Sequence, residues 1–125
     1  MRILLDTHTF LWMVTAPDEL TVSAREAFAV TTYEVWFSAA TSWEIAVKRA
    51  KGKLHFSGSP LQIARRLGLP ELVVTAEHAE IAAELPLHHR DPFDRMLIAQ
   101  AQVEGLVLAT RDTAMARYGI RILRV

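Results

Sequence analysis

The chain has 125 residues, with 14 basic and 14 acidic side chains, 51% hydrophobic residues and no cysteine. That length suits one compact domain, residues 1–125, with a real core. Without cysteine there are no disulfides, no thiolate catalysis and no Cys-ligated zinc, and a net charge of zero argues against nucleic-acid binding driven by total charge. No apolar run approaches the ~20 residues of a membrane span. Only Ile3, Leu4 and Leu5 separate Arg2 from Asp6, too little for a signal peptide, so a soluble cytoplasmic protein is expected.

Ile3-Leu4-Leu5 is a short unalternating apolar run, the pattern of a strand buried on both faces of a parallel sheet. Thr7 to Val14 and about Val22 to Val30 read as helices. Glu34 to Ala40, rich in Val, Trp and Phe, reads as a second strand. Thr41-Ser42-Trp43-Glu44 opens a helix whose apolar positions Trp43, Ala46, Val47 and Ala50 recur at helical spacing, and Gly52 ends it. Ser59-Pro60 caps a short helix through Arg66. Leu72 to Val74 is a candidate strand, followed by a helix that Thr75 caps and Pro86 stops. Asp91-Pro92 begins the strongest helix, Phe93 to Glu104, closed by Gly105. Leu106 to Thr110 and Ile120 to Leu123 complete the strands. Alternation of this kind implies βαβ units, a parallel sheet of four to five strands and a three-layer α/β/α sandwich.

In such sheets ligands sit beyond the carboxyl ends of the strands, and acids mark those ends. Asp6 leaves the first strand directly, where a carboxylate against apolar surface requires a positive or hydrogen-bonding partner. It also serves as a cap for the helix at Thr7. Glu44 has an equally ordinary explanation, as third helical residue of a capping box with Thr41. Asp91 is placed as a helix cap, whereas Asp94 shares a helical face with Ile98 and Ala101. Asp112 follows the strand ending at Thr110 and is in place to cap Thr113 to Arg117.

Single caps do not explain why acids recur at so many strand exits. As oxygen ligands the acids suit Mg²⁺ or Mn²⁺, which keep several waters and need few protein anchors. Divalent ions so held support phosphodiester hydrolysis. The basic cluster Lys48-Arg49-Ala50-Lys51-Gly52-Lys53 reads either as a solvated face or as a phosphate-binding surface.

Four segments resemble the PIN-domain nucleases and, among them, the VapC-type toxins of bacterial toxin–antitoxin pairs. They are Ile3-Leu4-Leu5-Asp6-Thr7-His8, Ser38-Ala39-Ala40-Thr41-Ser42-Trp43-Glu44-Ile45, His88 through Ala101, and Leu108-Ala109-Thr110-Arg111-Asp112. They lie in the family's order over nearly the whole chain. The resemblance implies a single PIN-like nuclease domain over residues 1–125. It also implies an endoribonuclease that hydrolyses RNA phosphodiester bonds through a metal-activated water, with Mg²⁺ or Mn²⁺ held by Asp6, Glu44, Asp94 and Asp112. Thr110 and Asp91 are expected in support, and Lys48, Lys51, Arg95 and Arg111 as phosphate contacts. The partners expected are RNA, a small cognate antitoxin and, as a homodimer, a second copy of the chain.

His88 and His89 are read as outside any metal site, because adjacent residues rarely converge on one ion. Trp12, Trp36 and Trp43 are read as core or interface aromatics. A phosphoacceptor receiver module is excluded, since Asp6 stands alone and no lysine follows Lys53. A nucleotide-binding fold lacks its glycine-rich loop. The remaining rival is a non-catalytic interaction module in which every acid caps a helix.

Overall fold

Ile3, Leu4 and Leu5 put apolar side chains on both sides of a pleat, so a strand made from them belongs between two apolar layers. The computed structural model describes residues 1–125 and sets these residues in β1 (Arg2–Leu5), at the centre of a five-stranded sheet. The other strands are β2 (Glu34–Ser38), β3 (Glu71–Leu72), β4 (Val107–Thr110) and β5 (Ile122–Arg124). Their spatial order is β3-β2-β1-β4-β5, and every pairing is parallel.

Parallel neighbours require crossovers, and the helices supply them. They are α1 (Thr7–Thr15), α2 (Val22–Ala29), α3 (Ala39–Ala50), α4 (Pro60–Arg66), α5 (Ala76–Glu84) and α6 (Pro92–Glu104), with short 3₁₀ turns at Pro17–Glu19 and Thr113–Tyr118. Alternate residues of β1 enter different cores. Ile3 and Leu5 pack with Phe10, Ala24, Ile45 and Ala64, from the first four helices. Leu4 packs on the opposite face with Leu97, Ile98 and Ala101 of α6. The result is the expected three-layer α/β/α sandwich.

Several boundaries depart from the sequence reading, and one of them alters the site. The strand expected at Leu72–Val74 is Glu71–Leu72, because the end of β2 offers partners only there: Phe37 pairs with Glu71 and Ser38 with Leu72. Val73 and Val74 lie beyond it, 58% and 39% exposed. The third helix begins at Ala39, not beyond Thr41. Ser38 is its cap, its hydroxyl accepting from the Ala40 N–H at 3.0 Å. No helix is long and apolar enough to cross a membrane.

Candidate active site

The two strands flanking β1 leave it on opposite sides, so a crevice opens where β1 ends. Asp6 is the first residue past that end. Its backbone N–H continues the ladder to the Ala109 carbonyl at 3.1 Å. Its side chain caps α1, with Oδ1 accepting from the Thr9 N–H at 2.8 Å. Asp6 is therefore buried and fixed, and Oδ2 is left for another partner. A hollow in front of it is lined by Asp6, His8, Trp12, Asp94, Thr110, Arg111, Asp112 and Met115. Three of the four expected acids meet there.

Glu44 stands behind that lining. With the helix starting at Ala39, Glu44 is its sixth residue and out of reach of any N-cap, so the capping-box explanation fails. It is buried and accepts the Thr7 hydroxyl proton on Oε1 at 2.6 Å. Thr7 and Thr41 hydroxyls lie 3.2 Å apart. Since Thr7 gives its one proton to Glu44, Thr41 donates to Thr7. The other Glu44 oxygen meets Lys48, one turn along. That hydrogen bond holds the Lys48 ammonium above its ordinary range, against the opposing effect of burial.

Asp94 occupies the third position of α6, where Asp91 has already taken the cap by accepting from the Phe93 and Asp94 N–H groups at 2.8 and 3.2 Å. Burial raises the Asp94 carboxyl to about 7, and the negative charges of Asp91, Glu44, Asp6 and Asp112 push in the same direction. The acids thus share one electrostatic site. No three groups of the ligating type are drawn into a ready-made ion cage.

Thr110 and Asp112 close the far side. Thr110 is fully buried and its hydroxyl accepts from the Asp112 N–H at 3.0 Å. Asp112 caps the last 3₁₀ turn through Oδ1, 3.0 Å from the Ala114 N–H. Its Oδ2 lies 2.8 Å from His89 Nε2. That ring nitrogen is close enough for a charge contact but too poorly aligned for a hydrogen bond.

The four expected phosphate contacts separate. Lys51 is exposed at the end of α3. Lys48 lies beside the acids but is tied to Glu44. Arg111 lines the hollow, yet its Nε donates to the Val125 carbonyl at 3.0 Å. The same guanidinium also meets the Glu19 carbonyl and stacks 4.1 Å from the Trp12 ring centre. Arg95 does not face the hollow. It is buried, and its guanidinium donates to the carbonyls of Leu85, His89, Pro86 and Ala83 at 2.7, 2.9, 3.0 and 3.4 Å. A guanidinium with both terminal nitrogens committed to four carbonyls holds a loop together.

Sequence reasoning missed Thr7 and Thr41 as the brace of Glu44. Only the burial of Thr41 at a helical position would have pointed to them.

The family model that matches the sequence is the PIN domain, over residues 3–121. Curated proteins give no match. Among solved structures, the chain resembles DNA-bound VapBC from Salmonella typhimurium at TM-score 0.70 and 23% identity, covering 99% of this chain and 98% of that one. It also resembles VapBC2 from Rickettsia felis, bound to a DNA fragment from the promoter, at TM-score 0.72 and 14% identity, with 100% and 99% covered. FitAcB from Neisseria gonorrhoeae gives TM-score 0.64 and 21% identity, with 98% and 96% covered. At these identities the likeness speaks for the fold. With the family model spanning nearly the whole sequence, this chain belongs to the PIN-domain family.

Proposed function

We propose that the chain, as one nuclease domain, is a divalent-metal-dependent endoribonuclease and the toxin of a toxin–antitoxin pair. The observation that carries this reading is the meeting of Asp6, Asp94 and Asp112 around one hollow, where burial first, and then the charges of the neighbouring carboxylates, raise Asp94 to about 7. Like charges packed this closely are one cation short. The acids offer carboxylate oxygens, which fit Mg²⁺ or Mn²⁺ better than a softer metal. Such an ion, when bound, supplies positive charge for the phosphate and acidifies a water.

The chain's own residues have distinct parts. Asp6 presents Oδ2 from a position fixed by its cap and by β4. Asp94 and Asp112 face it from α6 and from the end of β4. Glu44, braced by Thr7 and Thr41, adds negative charge behind them and keeps Lys48 at the margin. The rival reading, in which every acid is a cap, accounts for Asp6, Asp91 and Asp112 but for neither Asp94 nor Glu44. The similarity to VapBC and FitAcB structures supports a small antitoxin as partner. So does an apolar hollow between α1 and α2, lined by Met13, Pro17, Leu20, Arg25, Phe28 and Ala29.

Purified protein is expected to cleave RNA endonucleolytically with Mg²⁺ or Mn²⁺ and to stop in EDTA. Metal-independent cleavage, or none on broad RNA pools with no divalent-ion binding by calorimetry, would reject the reading. Thr7→Val removes the Glu44 hydrogen bond at nearly constant volume. It should lower kcat/KM about tenfold to a hundredfold, the range for partners that orient ligating groups. Thr7→Ser should restore most of the rate. A Thr7→Val enzyme as fast as wild type means that the brace is irrelevant to cleavage.

A further inference from the structure

Burial alone does not account for Trp43. It leaves 58% of its surface to solvent, so of the core or interface roles expected from sequence the core one does not hold. Its ring lies 4.9 Å from that of Phe93, centre to centre, at 72°. In an edge-to-face pair one ring offers its edge and the other a face. Whichever ring does which, at least one indole face stays open. Trp43 borders a hollow between α3, α5 and α6 whose lining includes Ala82, Ala83, Arg90, Pro92 and Met96. Arg95 also reaches this hollow, but its charge is committed to carbonyls. Arg90 is exposed and is the cation the hollow has to offer.

The location of the hollow identifies its occupant. Trp43 is bonded to Glu44 and Phe93 to Asp94, so the aromatic pair joins α3 to α6 beside two of the four acids. A flat apolar face and a cation, on and just ahead of the helices that carry two of the acids, match the repeating chemistry of single-stranded RNA. The base stacks on an aromatic ring, and its phosphate pairs with a guanidinium. We propose that this hollow is a nucleobase subsite, in which Trp43 stacks an unpaired RNA base and Arg90 pairs with a neighbouring phosphate. The subsite rests on the nuclease reading above, and it positions the strand with the scissile bond over the acids.

Binding of a single-stranded oligoribonucleotide, followed by fluorescence anisotropy in EDTA so that cleavage does not intervene, tests this directly. Trp43→Ala should weaken binding by about tenfold or more, as loss of one stacked base does. Trp43→Phe should recover most of it. Arg90→Ala should reduce affinity and lower the salt slope by about one phosphate contact. An abasic nucleotide moved along the RNA should weaken wild-type binding at one position and have no effect there on Trp43→Ala. A Trp43→Ala protein that binds RNA like wild type overturns the subsite. So does one that sediments as a smaller species with RNA affinity unchanged, which would assign the face to a second copy of the chain. If wild type binds no RNA, the nuclease reading itself falls; if it binds and cleaves regardless of Trp43, the subsite alone falls.

Discussion

Replacing Asp94 by asparagine is expected to cut RNA cleavage by about a hundredfold or more, the usual effect of removing one charged group at a reacting phosphate. The same substitution should make the metal-free protein more stable. In the wild type, burial and the charges of Asp91, Glu44, Asp6 and Asp112 raise the Asp94 carboxyl from an ordinary 3.8 to about 7. The folded pKa is the higher one, so the folded state holds the proton more tightly than the unfolded chain. That contribution to stability is complete below about pH 4 and is lost as the pH rises through about 7. Solvent reaches part of the hollow, so the loss is about 1–3 kcal/mol, short of the full value of the shift. Asparagine has no charge to repel, and in EDTA near pH 8 it should raise Tm by roughly 3–10 °C. Wild-type stability should fall between about pH 4 and pH 8 while that of Asp94→Asn falls less. Parallel curves for the two proteins would show that the acids do not act on Asp94. An active Asp94→Asn enzyme would remove Asp94 from the chemistry.

Arg95→Ala should be the most damaging change to the fold. The guanidinium holds four carbonyls, from Ala83 at the end of α5 to His89 just ahead of α6. Without it those carbonyls lose a charged donor inside a buried site, at a cost of about 3 kcal/mol or more. Lysine offers one compact ammonium where the loop is fitted to a planar fork, so Arg95→Lys should recover little. Urea denaturation of both variants gives the cost. Residual activity, normalised to folded protein, separates the two roles of this residue. Full stability with weakened RNA binding and a shallower salt dependence would return Arg95 to the phosphate set.

The fold was largely legible because its signals are local. Ile3 to Leu5 can only be satisfied between two layers. Pro60, Pro92 and Gly105 fix helix ends through backbone geometry, Gly105 in the left-handed conformation at φ 66°. Asp6, Asp91 and Asp112 act as caps where the sequence places them, and nothing local distinguishes a cap that also faces a pocket. The misjudged positions depend on distant partners. Ser38 and Thr41 are both competent caps, and the choice between them is made by Thr7, 34 residues from Thr41, which draws Thr41 into the Glu44 network. Val73 and Val74 favour strand by their branching, but β2 has no residues left to pair with them. Arg95 reads as surface charge because its four acceptors are backbone atoms, invisible in side-chain patterns. Trp43 reads as core or interface from its bulk alone, and nothing local separates the two.

Asp6 owes its position to β4: the parallel pairing sets Ile3 against Val107 and Leu5 against Ala109, and the Ala109 carbonyl receives both the Asp6 N–H and the Thr9 hydroxyl. A ribosome-bound chain that has emerged only through α5 carries Asp6, Thr7, Thr41 and Glu44, yet it lacks the strand that aims the first acid. Pairing over such a sequence separation is slow and cooperative. Synthesis therefore keeps the first acid unaimed until β4 has been made.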